Sequence, residues 1–423
     1  MSAPSASSLS AEAVQANDAS QRRDTYLPSR PIKVALVTSF PPSRGDLNEY
    51  GFHLARAMRD DPRVELVILA DEIETAQELG GFRVERCWRF DSMFNPLRLL
   101  VQISKHDPDV VWFNVGFSTF ARSPLAAFLG IMTPLLTRLS GYYSHVTLHT
   151  VFERISLQDA GLRFQGLYRG AGKLATRLTL AANDVSVLLP SFRDDLKRNY
   201  GTAARNVEAR PHGTFHDMAE DSTQRATTLA SEPVVLAFGY WGTYKRLELV
   251  LEAMENVRRE LPEATLIVAG ASHPSTPTYI EDLREKWRGR DLVKFTGYVA
   301  ENELPELFRR AAILVLPYSS AAGTSGVVHQ ACQYGLPMVA AGIPEIVEIA
   351  KEERIAIEFY PPGDGQTLTE ELVRLLKGPE MRERMSRQNL LASRGTPMSQ
   401  VVDGYIRLFA ERTRARRGQV KSV

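Results

Sequence analysis

Short runs of Val, Ile, Leu and Ala alternate with longer amphipathic segments from residue 33 to the end of this chain. The apolar runs are continuous and do not alternate with polar residues, which is typical of strands buried on both faces of a parallel sheet. The segments between them, such as RLELVLEAMENVRREL at 246–261, carry apolar residues at helical spacing and charges on the opposite side. The pattern therefore predicts an α/β protein in which helices cover both faces of parallel sheets.

The predicted strands fall into two groups that a polar stretch separates. The first group is KVALVT, ELVIL, VVWFN, HVTLH and VSVLL, and the second is VVLAF, TLIVA, VKFT, ILVL, PMVAA and IAIEF. Between them, PHGTFHDMAEDSTQRATTLASEP at 211–233 loses the strand pattern and collects Ser, Thr, Asp and Pro. We therefore expect an N-terminal domain at 31–215 and a C-terminal domain at 216–395, facing each other across a cleft.

The overall composition argues against several classes of protein. The 51 basic and 50 acidic residues give a net charge of +1, without the basic field that nucleic-acid binding requires. The two cysteines, Cys87 and Cys332, lie far apart, which argues against a disulfide framework or a cysteine zinc site. This usage favours a reducing, cytoplasmic compartment, and we expect both thiols to lie in the core.

Two further segments bear on targeting. Residues 1–30 are rich in Ser and Ala and lack the cationic start and apolar core of a secretion signal, so we expect a disordered arm. The most apolar stretch, 123–143, is interrupted by Pro134 and Arg138 and is too short to span a bilayer comfortably. It is predicted to be a buried helix.

The stretch SSAAGTSGVVHQ at 319–330 follows a predicted strand and opens a helix. In open parallel sheets, ligands gather outside the carboxyl ends of the strands. Amides at the start of this helix, backed by its dipole, are typical of an anion site, and Gly323 and Gly326 let an anion approach the backbone. The alternative is ordinary capping of the helix by Thr324 or Ser325.

A second glycine-containing turn, FGYWGTYKRLE at 238–248, follows the first strand of the second domain. It places Lys245 at the head of an amphipathic helix, where backbone amides and a cation again favour an anion. The alternative is that Lys245 and Arg246 are simply solvated. Two such loops on one sheet indicate a diphosphate site, although neither loop has the P-loop or the G-x-G-x-x-G signature.

Eight segments, in order from residue 33 onward, resemble the retaining glycosyltransferases of family 4. They are VALVTSFPPSRGDLNEYGFHLARAM, HVTLHT, VSVLLPSFRDDLKRNYG, VEARPHG, FGYWGTYKRLELVLEAM, TLIVAG, VKFTGYVAENELPELFRRAAILVLPY and GLPMVAAGIPEIVE. The resemblance implies the GT-B fold, with two facing Rossmann-like domains, a deep cleft, and a closing helix at 396–423 that packs on the first domain and ends in a basic tail. It also implies transfer of a sugar from a nucleotide-diphosphate sugar to an acceptor hydroxyl with retention of configuration, in polysaccharide, glycolipid or glycoconjugate synthesis.

The resemblance also assigns roles to residues of the cleft loops. His149 corresponds to a residue that contacts the sugar near its reacting carbon, and Lys245 to one that neutralises the diphosphate. A histidine bonded to a carbonyl at the end of a buried strand is the alternative for His149. The donor-binding candidates are Gly45, Gly239, Tyr240, Arg246, Gly323, Thr324, Ser325, Gly326, Val327 and Gln330. The acceptor-binding candidates are Asp46, Asn48 and Glu49, with helix caps or solvated side chains as the alternative.

Three positions depart from the family pattern. Tyr240 stands where the family has an arginine, and Ala322 and Gln330 stand at the two glutamates of the E-x7-E motif. The Gln330 amide can still bond a ribose, and we expect Gln330→Glu, which restores the family residue, to preserve donor binding. The departures leave open a non-catalytic GT-B subunit that binds or activates a partner glycosyltransferase, and more remotely a nucleotide-sugar epimerase.

The implied mechanism needs neither a metal ion nor a cofactor. The leaving diphosphate, stabilised by Lys245 and the loop amides, helps to deprotonate the acceptor. No Asp-x-Asp or paired-histidine metal motif lies near the cleft loops. We expect a UDP- or GDP-linked donor sugar and a carbohydrate or lipid-linked acceptor.

A basic segment at 161–184 bears on where the protein acts. It places Arg163, Arg169, Lys173 and Arg177 among aromatic residues and leucines. The first expectation is a helix that packs on the first sheet and has a solvated cationic side. The alternative is peripheral contact with an anionic membrane at its inner face.

Overall fold

The structure is a computed structural model, and it describes residues 30–43, 45, 47–73, 80–154, 165–215, 232–273, 276–300, 303–320, 323 and 325–420. Nearly all of the predicted N-terminal arm therefore lies outside the described residues. So do the individual residues Asp46, Arg163, Ala322 and Thr324. The predictions made for them remain predictions.

Among the described residues, seven parallel strands form the first sheet. They are β1 (Ile32–Val37), β2 (Val64–Asp71), β3 (Val84–Trp88), β4 (Val110–Val115), β5 (Tyr143–Leu148), β6 (Asp184–Val187) and β7 (Val207–Ala209). Their order across the sheet is β3-β2-β1-β4-β5-β6-β7. The order reverses beside β1, so the carboxyl end of β1 lies at the point where open α/β sheets bind ligands.

The helices of this half are α1 (Asn48–Arg59), α2 (Asn95–His106), α3 (Pro124–Leu139), α4 (Gln165–Leu180) and α5 (Pro190–Tyr200). Helix α2 packs on α3, and α3 packs on α4. Because right-handed crossovers that run in one direction across a sheet put their helices on one face, α2, α3 and α4 form a layer there. Helix α1, whose crossover runs the other way, covers the opposite face.

Six parallel strands of the described chain form the second sheet. They are β8 (Val234–Phe238), β9 (Thr265–Ala269), β10 (Val293–Gly297), β11 (Ile313–Leu316), β12 (Met338–Ala341) and β13 (Ile357–Tyr360), in the order β10-β9-β8-β11-β12-β13. The helices that follow them are α6 (Leu247–Glu260), α7 (Tyr279–Lys286), α8 (Leu304–Arg310), α9 (Gly326–Gln333), α10 (Pro344–Glu352), α11 (Gly365–Lys377) and α12 (Pro379–Gly395). The prediction of two parallel, Rossmann-like α/β domains is thus confirmed.

All eleven predicted strands are present, and the structure adds β3 and β7. Both added strands lie at the edges of the first sheet. An edge strand is covered on fewer sides, so β3 carries the polar residues Glu85 and Arg86, and β7 is only three residues long. Neither has the continuous apolar run by which the central strands were recognised.

The last helix, α13 (Met398–Val420), returns to the first domain and packs on α1. Its Tyr405 and Phe409 lie against Trp112 of β4, with ring centroids 4.4 Å and 5.3 Å away. Burial of each such aromatic side chain stabilises the fold by roughly 1.5–3 kcal/mol. Helix α13 therefore packs against the first sheet.

Two smaller sequence predictions concern burial. Cys87 and Cys332 are free thiols, and both are buried, as expected. Residues 124–139 of the apolar stretch form α3 with Pro134 inside it, but the helix is buried on one side only, because Leu125 and Leu139 are exposed. No helix among the described residues has the length and apolar content needed to cross a membrane.

Candidate active site

The two domains touch at the predicted site. A Cβ atom placed on Gly323 of the second domain would lie 2.9 Å from the carbonyl oxygen of His149 in the first. A side chain at position 323 would therefore force these loops apart. The absence of a side chain at Gly323 lets the loop after β11 approach the end of β5.

His149 follows the last residue of β5 and is 5% exposed. Its backbone amide donates to Val115 O at 3.0 Å, which extends the pairing of β5 with β4 by one residue. Burial lowers the pKa of the imidazole to about 3. The ring is therefore neutral at physiological pH and is suited to accepting or donating one hydrogen bond.

A chain of hydrogen bonds sets the proton position on His149. The Asn114 amide nitrogen donates to Thr38 Oγ1 at 3.0 Å, and Thr38 Oγ1 donates in turn to Ser39 O at 3.0 Å. This arrangement directs Asn114 Oδ1, an acceptor, toward His149 Nε2 at 2.6 Å. We assign the proton to Nε2, which leaves the lone pair on Nδ1.

The loop after β1 is held by a buried carboxylate. Asp71 accepts hydrogen bonds from the Phe40 amide, at 3.0 Å, and from the Ser43 hydroxyl. Burial is the largest influence on this carboxyl group and raises its pKa. Arg86 lies beside it and donates to Phe40 O and Pro41 O. Residues of β2 and β3 thus fix the loop after β1.

Gly45 lies within this loop, where there is no space for a side chain. A Cβ atom there would lie 2.5 Å from Ser39 Oγ. Its amide donates to Ser43 Oγ at 2.9 Å. The amide of Gly45, a predicted residue of the sugar-donor site, is therefore used within the loop. Ser39 Oγ is buried and has no hydrogen-bond partner among the described residues.

Lys245 ends a short 3₁₀ turn after β8 and is 8% exposed. Its ammonium lies over three aromatic rings: Tyr318 at 4.9 Å, Trp241 at 5.7 Å and Tyr244 at 5.9 Å. No acidic side chain of the described chain forms an ion pair with it. Burial lowers its pKa to about 8. The rings stabilise the cation by contact with their faces but do not neutralise it.

Gly239 brings the two predicted phosphate loops together. A Cβ atom on it would lie 2.9 Å from Lys245 Nζ and 3.6 Å from Val327 Cγ2. Its φ of +134° also strongly favours glycine. The loop after β8 and the first turn of α9 therefore lie side by side, as a diphosphate site requires.

The start of α9 has the form predicted for it, with one difference. Ser325 precedes the helix at φ 48°, but its side chain makes no capping hydrogen bond. The first-turn amides at Gly326 and Val327 lack a side-chain cap from this residue. Gly335, at φ +56°, follows the end of the helix.

Tyr318 belongs to this site, although the sequence did not single it out. Its ring carries the closest of the three contacts to Lys245, and its hydroxyl lies beside Ser325. The hydroxyl is buried and has no hydrogen-bond partner among the described residues. A hydroxyl that has no hydrogen-bond partner and lies beside a buried cation is suited to binding an anionic ligand. Its position directly after β11, within VLPY, was the signal available in the sequence.

We expect Tyr318→Phe to weaken nucleoside diphosphate binding by about 3- to 10-fold, the contribution of one neutral hydrogen bond. The phenyl ring keeps the contact with Lys245, so the melting temperature is expected to hold or rise. Calorimetric titration measures the affinity. Tyr360→Phe is the matched control, because Tyr360 also has a buried hydroxyl without a described partner but ends β13. Equal effects of the two substitutions would contradict the assignment.

Gln330 points across the cleft. It lies on α9, is 5% exposed, and donates from Nε2 to Glu49 Oε1 of α1 in the first domain. Glu49 was predicted to contact the acceptor, and Asn48 beside it bonds the Ser43 carbonyl and the Glu49 amide. The glutamine amide thus holds a carboxylate that the first domain supplies.

This contact changes the result expected for Gln330→Glu. The substitution would place two carboxylates at hydrogen-bonding distance, and like charges repel, so we expect donor affinity to fall by about 5- to 30-fold. Glu49→Gln combined with Gln330→Glu exchanges the two groups and is expected to restore binding to within about threefold. Affinity is measured by calorimetry for both single variants and the double variant. Additive losses in the double variant would exclude the pair.

Other contacts close the domains beside the site. Arg154 Nη1 lies 3.2 Å from Glu345 Oε1, and the Ser191 amide donates to Glu348 at 2.9 Å. His212 stacks on His329, with ring centroids 4.1 Å apart. These contacts join the first domain to α9 and α10 of the second.

Two predicted donor-binding residues lie further out. Tyr240 and Arg246 are both exposed, and Arg246 precedes α6 at φ 45°. Arg246 lines an open depression together with Thr243, Tyr244 and Ser319. The structure therefore gathers Gly239, Lys245 and the start of α9 in one place and leaves these two side chains at its rim. The described residues contain no group of His, Cys, Asp and Glu that could hold a metal ion.

Comparison with known proteins finds a family model that matches the second domain. The model of the family "Glycosyl transferases group 1" matches residues 232–378. The chain is 26% identical over 281 residues to alpha-D-kanosaminyltransferase of Streptomyces kanamyceticus, which covers 64% of this chain and 68% of that protein. It is 26% identical over 343 residues to the GDP-mannose-dependent alpha-(1-6)-phosphatidylinositol monomannoside mannosyltransferase of Mycolicibacterium smegmatis, covering 74% and 82% of the two chains.

Solved structures with the same fold cover nearly the whole chain. Sucrose-phosphate synthase from Thermosynechococcus elongatus superposes with a TM-score of 0.70 at 16% identity, over 91% of this chain and 100% of that one. Anabaena HepE in complex with UDP and glucose superposes with a TM-score of 0.67 at 16% identity, over 90% and 99%. The match to the family model lies in the second domain, whereas the structural similarity extends over both domains, so the chain has the GT-B fold.

Proposed function

We propose that this glycosyltransferase moves a sugar from a UDP- or GDP-linked donor to an acceptor hydroxyl with retention of configuration, without a bound metal ion or cofactor. The observation that carries the proposal is the site of Lys245. A buried ammonium without an acidic partner in the described chain, beside a start of α9 that Ser325 leaves without a side-chain cap, is suited to a diphosphate. The two phosphates of the ligand would supply the negative charge that balances the Lys245 ammonium.

The proposed chemistry follows from where charge develops. As the bond from the anomeric carbon to the diphosphate breaks, negative charge grows on the leaving phosphate oxygen. Lys245 and the first-turn amides of α9 stabilise that charge, and the same phosphate accepts the proton of the acceptor hydroxyl on the same face of the sugar. The acceptor oxygen bonds to the anomeric carbon from the face that the diphosphate leaves, so no protein nucleophile is needed, and the leaving group acts as the base.

His149 has a separate part in this scheme. Its Nε2 proton is held by Asn114, so the lone pair on Nδ1 and the backbone carbonyl are the polar groups it offers to a sugar. A neutral imidazole polarises a hydroxyl without repelling the positive charge that develops at the anomeric carbon. The pKa of about 3 supports this neutral role down to roughly pH 4.

The relatives' names support both nucleotide bases. One relative is GDP-mannose-dependent, and the HepE structures contain UDP, UDP with glucose, or UDP-glucose. Their acceptors differ, so a carbohydrate and a lipid-linked acceptor both fit the proposal. The donor base is the first property to measure.

Calorimetric titration with UDP and with GDP, each in EDTA and in magnesium, tests the proposal. We expect one nucleotide to bind in the micromolar range with an affinity that changes less than threefold between EDTA and magnesium. Failure of both to bind would overturn the proposal. Release of free sugar from the matching nucleotide sugar then tests turnover, and binding without any release would favour a non-catalytic subunit.

A further inference from the structure

The layer of helices α2, α3 and α4 leaves large apolar side chains in water. In α2 and just before it, Phe94, Leu97 and Val101 are 66%, 63% and 56% exposed, at helical spacing along one side. The other helices and the adjoining loop add Phe90, Met93, Leu125, Leu139, Leu167 and Leu174, all exposed. Single exposed leucines are ordinary, but here nine large apolar residues are exposed on one helix layer and the loop beside it. We call this surface, together with the cations described next, the basic apolar face.

The charge on these helices has one sign. The sequences of α2, α3 and α4 contain no Asp or Glu. Their exposed cations are Lys105, Arg138, Arg169, Lys173 and Arg177, and none of these five forms an ion pair with an acidic residue of the described chain. By contrast, α6 of the second domain carries Glu248, Glu252, Glu255 and Glu260. A solvated helix of a near-neutral protein usually mixes both signs, as α6 does.

Two acidic groups next to this layer are already engaged, whereas Asp107, which directly follows α2, is exposed. Glu72 pairs with Arg89 and Arg98 at its edge. Asp91 accepts hydrogen bonds from the amides of Arg122 and Ser123. Glu72 and Asp91 therefore offer little to neutralise the cations further along the helices.

The apolar side chains are not needed for the protein's own core. The inward sides of the same helices supply Leu99, Ile103, Ile131 and Ala175 to the core under the sheet. The outward residues keep between 42% and 74% of their surface in water, and exposing them costs solubility. Such a cost is expected to persist where a partner covers the surface.

We propose that the basic apolar face docks on the surface of an anionic lipid bilayer. Leucine and phenylalanine side chains would enter the boundary between headgroups and acyl chains, while Lys and Arg side chains reach anionic headgroups. A second copy of this chain fits less well, because a two-fold contact would set these cations against one another. The docking is independent of the reaction, so it is tested without nucleotide sugar.

Co-sedimentation of the full chain with phosphatidylcholine vesicles, with and without phosphatidylglycerol, tests the proposal. We expect binding to the anionic vesicles only, and weaker binding as salt is raised. Arg169→Gln with Lys173→Gln should lower the partition coefficient about 25-fold, since each cation near the surface contributes about fivefold. Phe94→Ser with Leu97→Ser should lower it about 10- to 100-fold.

Matched control variants change the same residue types on the second domain. Val347→Ser with Leu391→Ser removes two exposed apolar residues, and Lys286→Gln with Arg384→Gln removes two exposed cations. We expect both controls to bind like the parent protein. Failure to bind anionic vesicles, or equal losses in the controls, would overturn the proposal. So would self-association in sedimentation velocity that Phe94→Ser with Leu97→Ser abolishes.

Discussion

Replacing Lys245 by methionine is expected to weaken nucleoside diphosphate binding by about 10- to 150-fold, the contribution of hydrogen bonds to a charged group. The diphosphate would then enter a site that keeps its backbone amides but has lost its buried cation. Calorimetric titration measures the loss. Arg246→Met is the matched control: it removes the exposed neighbouring cation, and we expect less than a threefold effect. Unchanged affinity in Lys245→Met would show that Lys245 does not bind the diphosphate.

The same substitution is expected to leave the fold intact or to stabilise it. The pKa of Lys245 is about 8 in the folded protein, below its ordinary value of 10.5. The unfolded chain therefore binds more protons between pH 8 and 10.5, and stability rises with pH in that window. Below pH 8 the buried charge costs about 1–3 kcal/mol, which methionine removes. Thermal unfolding at pH 7 separates this gain from lost binding.

The lowered pKa also predicts how affinity depends on pH. A bound diphosphate favours the charged ammonium, so binding takes up a proton above pH 8. We expect affinity to be nearly constant from pH 7 to 8 and to fall by up to about tenfold per pH unit above that. In Lys245→Arg the guanidinium stays charged, and the decline should be absent.

Replacing His149 by alanine is expected to lower the turnover of nucleotide sugar by about 100- to 1,000-fold, as for the loss of one preorganised polar group at the reacting centre. Affinity for the free nucleoside diphosphate should change less than threefold, because the diphosphate is held by the second domain. Release of sugar from the donor measures turnover, and calorimetry measures binding. Parallel losses in both would assign His149 to binding rather than to the reaction.

His145→Gln is the matched control for His149. His145 lies on β5, four residues before His149, is fully buried, and bonds Ser186 Oγ at 3.1 Å. Its replacement is expected to affect stability but not turnover per folded molecule. Asn114→Ala gives a second test, because it frees the His149 ring to change tautomer. We expect an intermediate loss of turnover, with nucleotide affinity unchanged.

Several features of this protein followed from the sequence. The central strands were found because a strand buried on both faces must be apolar along its length, which leaves a local pattern. The edge strands β3 and β7 were not found, because β3 is partly solvated and carries polar residues and β7 is only three residues long. Lys245 and the glycines at 239, 323 and 326 could be singled out as candidates because a loop at the carboxyl end of a strand is also a local feature.

The tertiary structure decided what depends on contacts between distant residues. Gln330 and Glu49 are 281 positions apart, so only the packing of two domains reveals that a glutamine amide holds a carboxylate. Tyr318 and Lys245 lie on different strands' loops, and their contact appears when β8 and β11 pair. The acid-free face of α2, α3 and α4 arises because three crossovers of one hand place three separate segments side by side. Local patterns fix elements and loops, whereas burial and charge partners are set by neighbours that the chain order does not reveal.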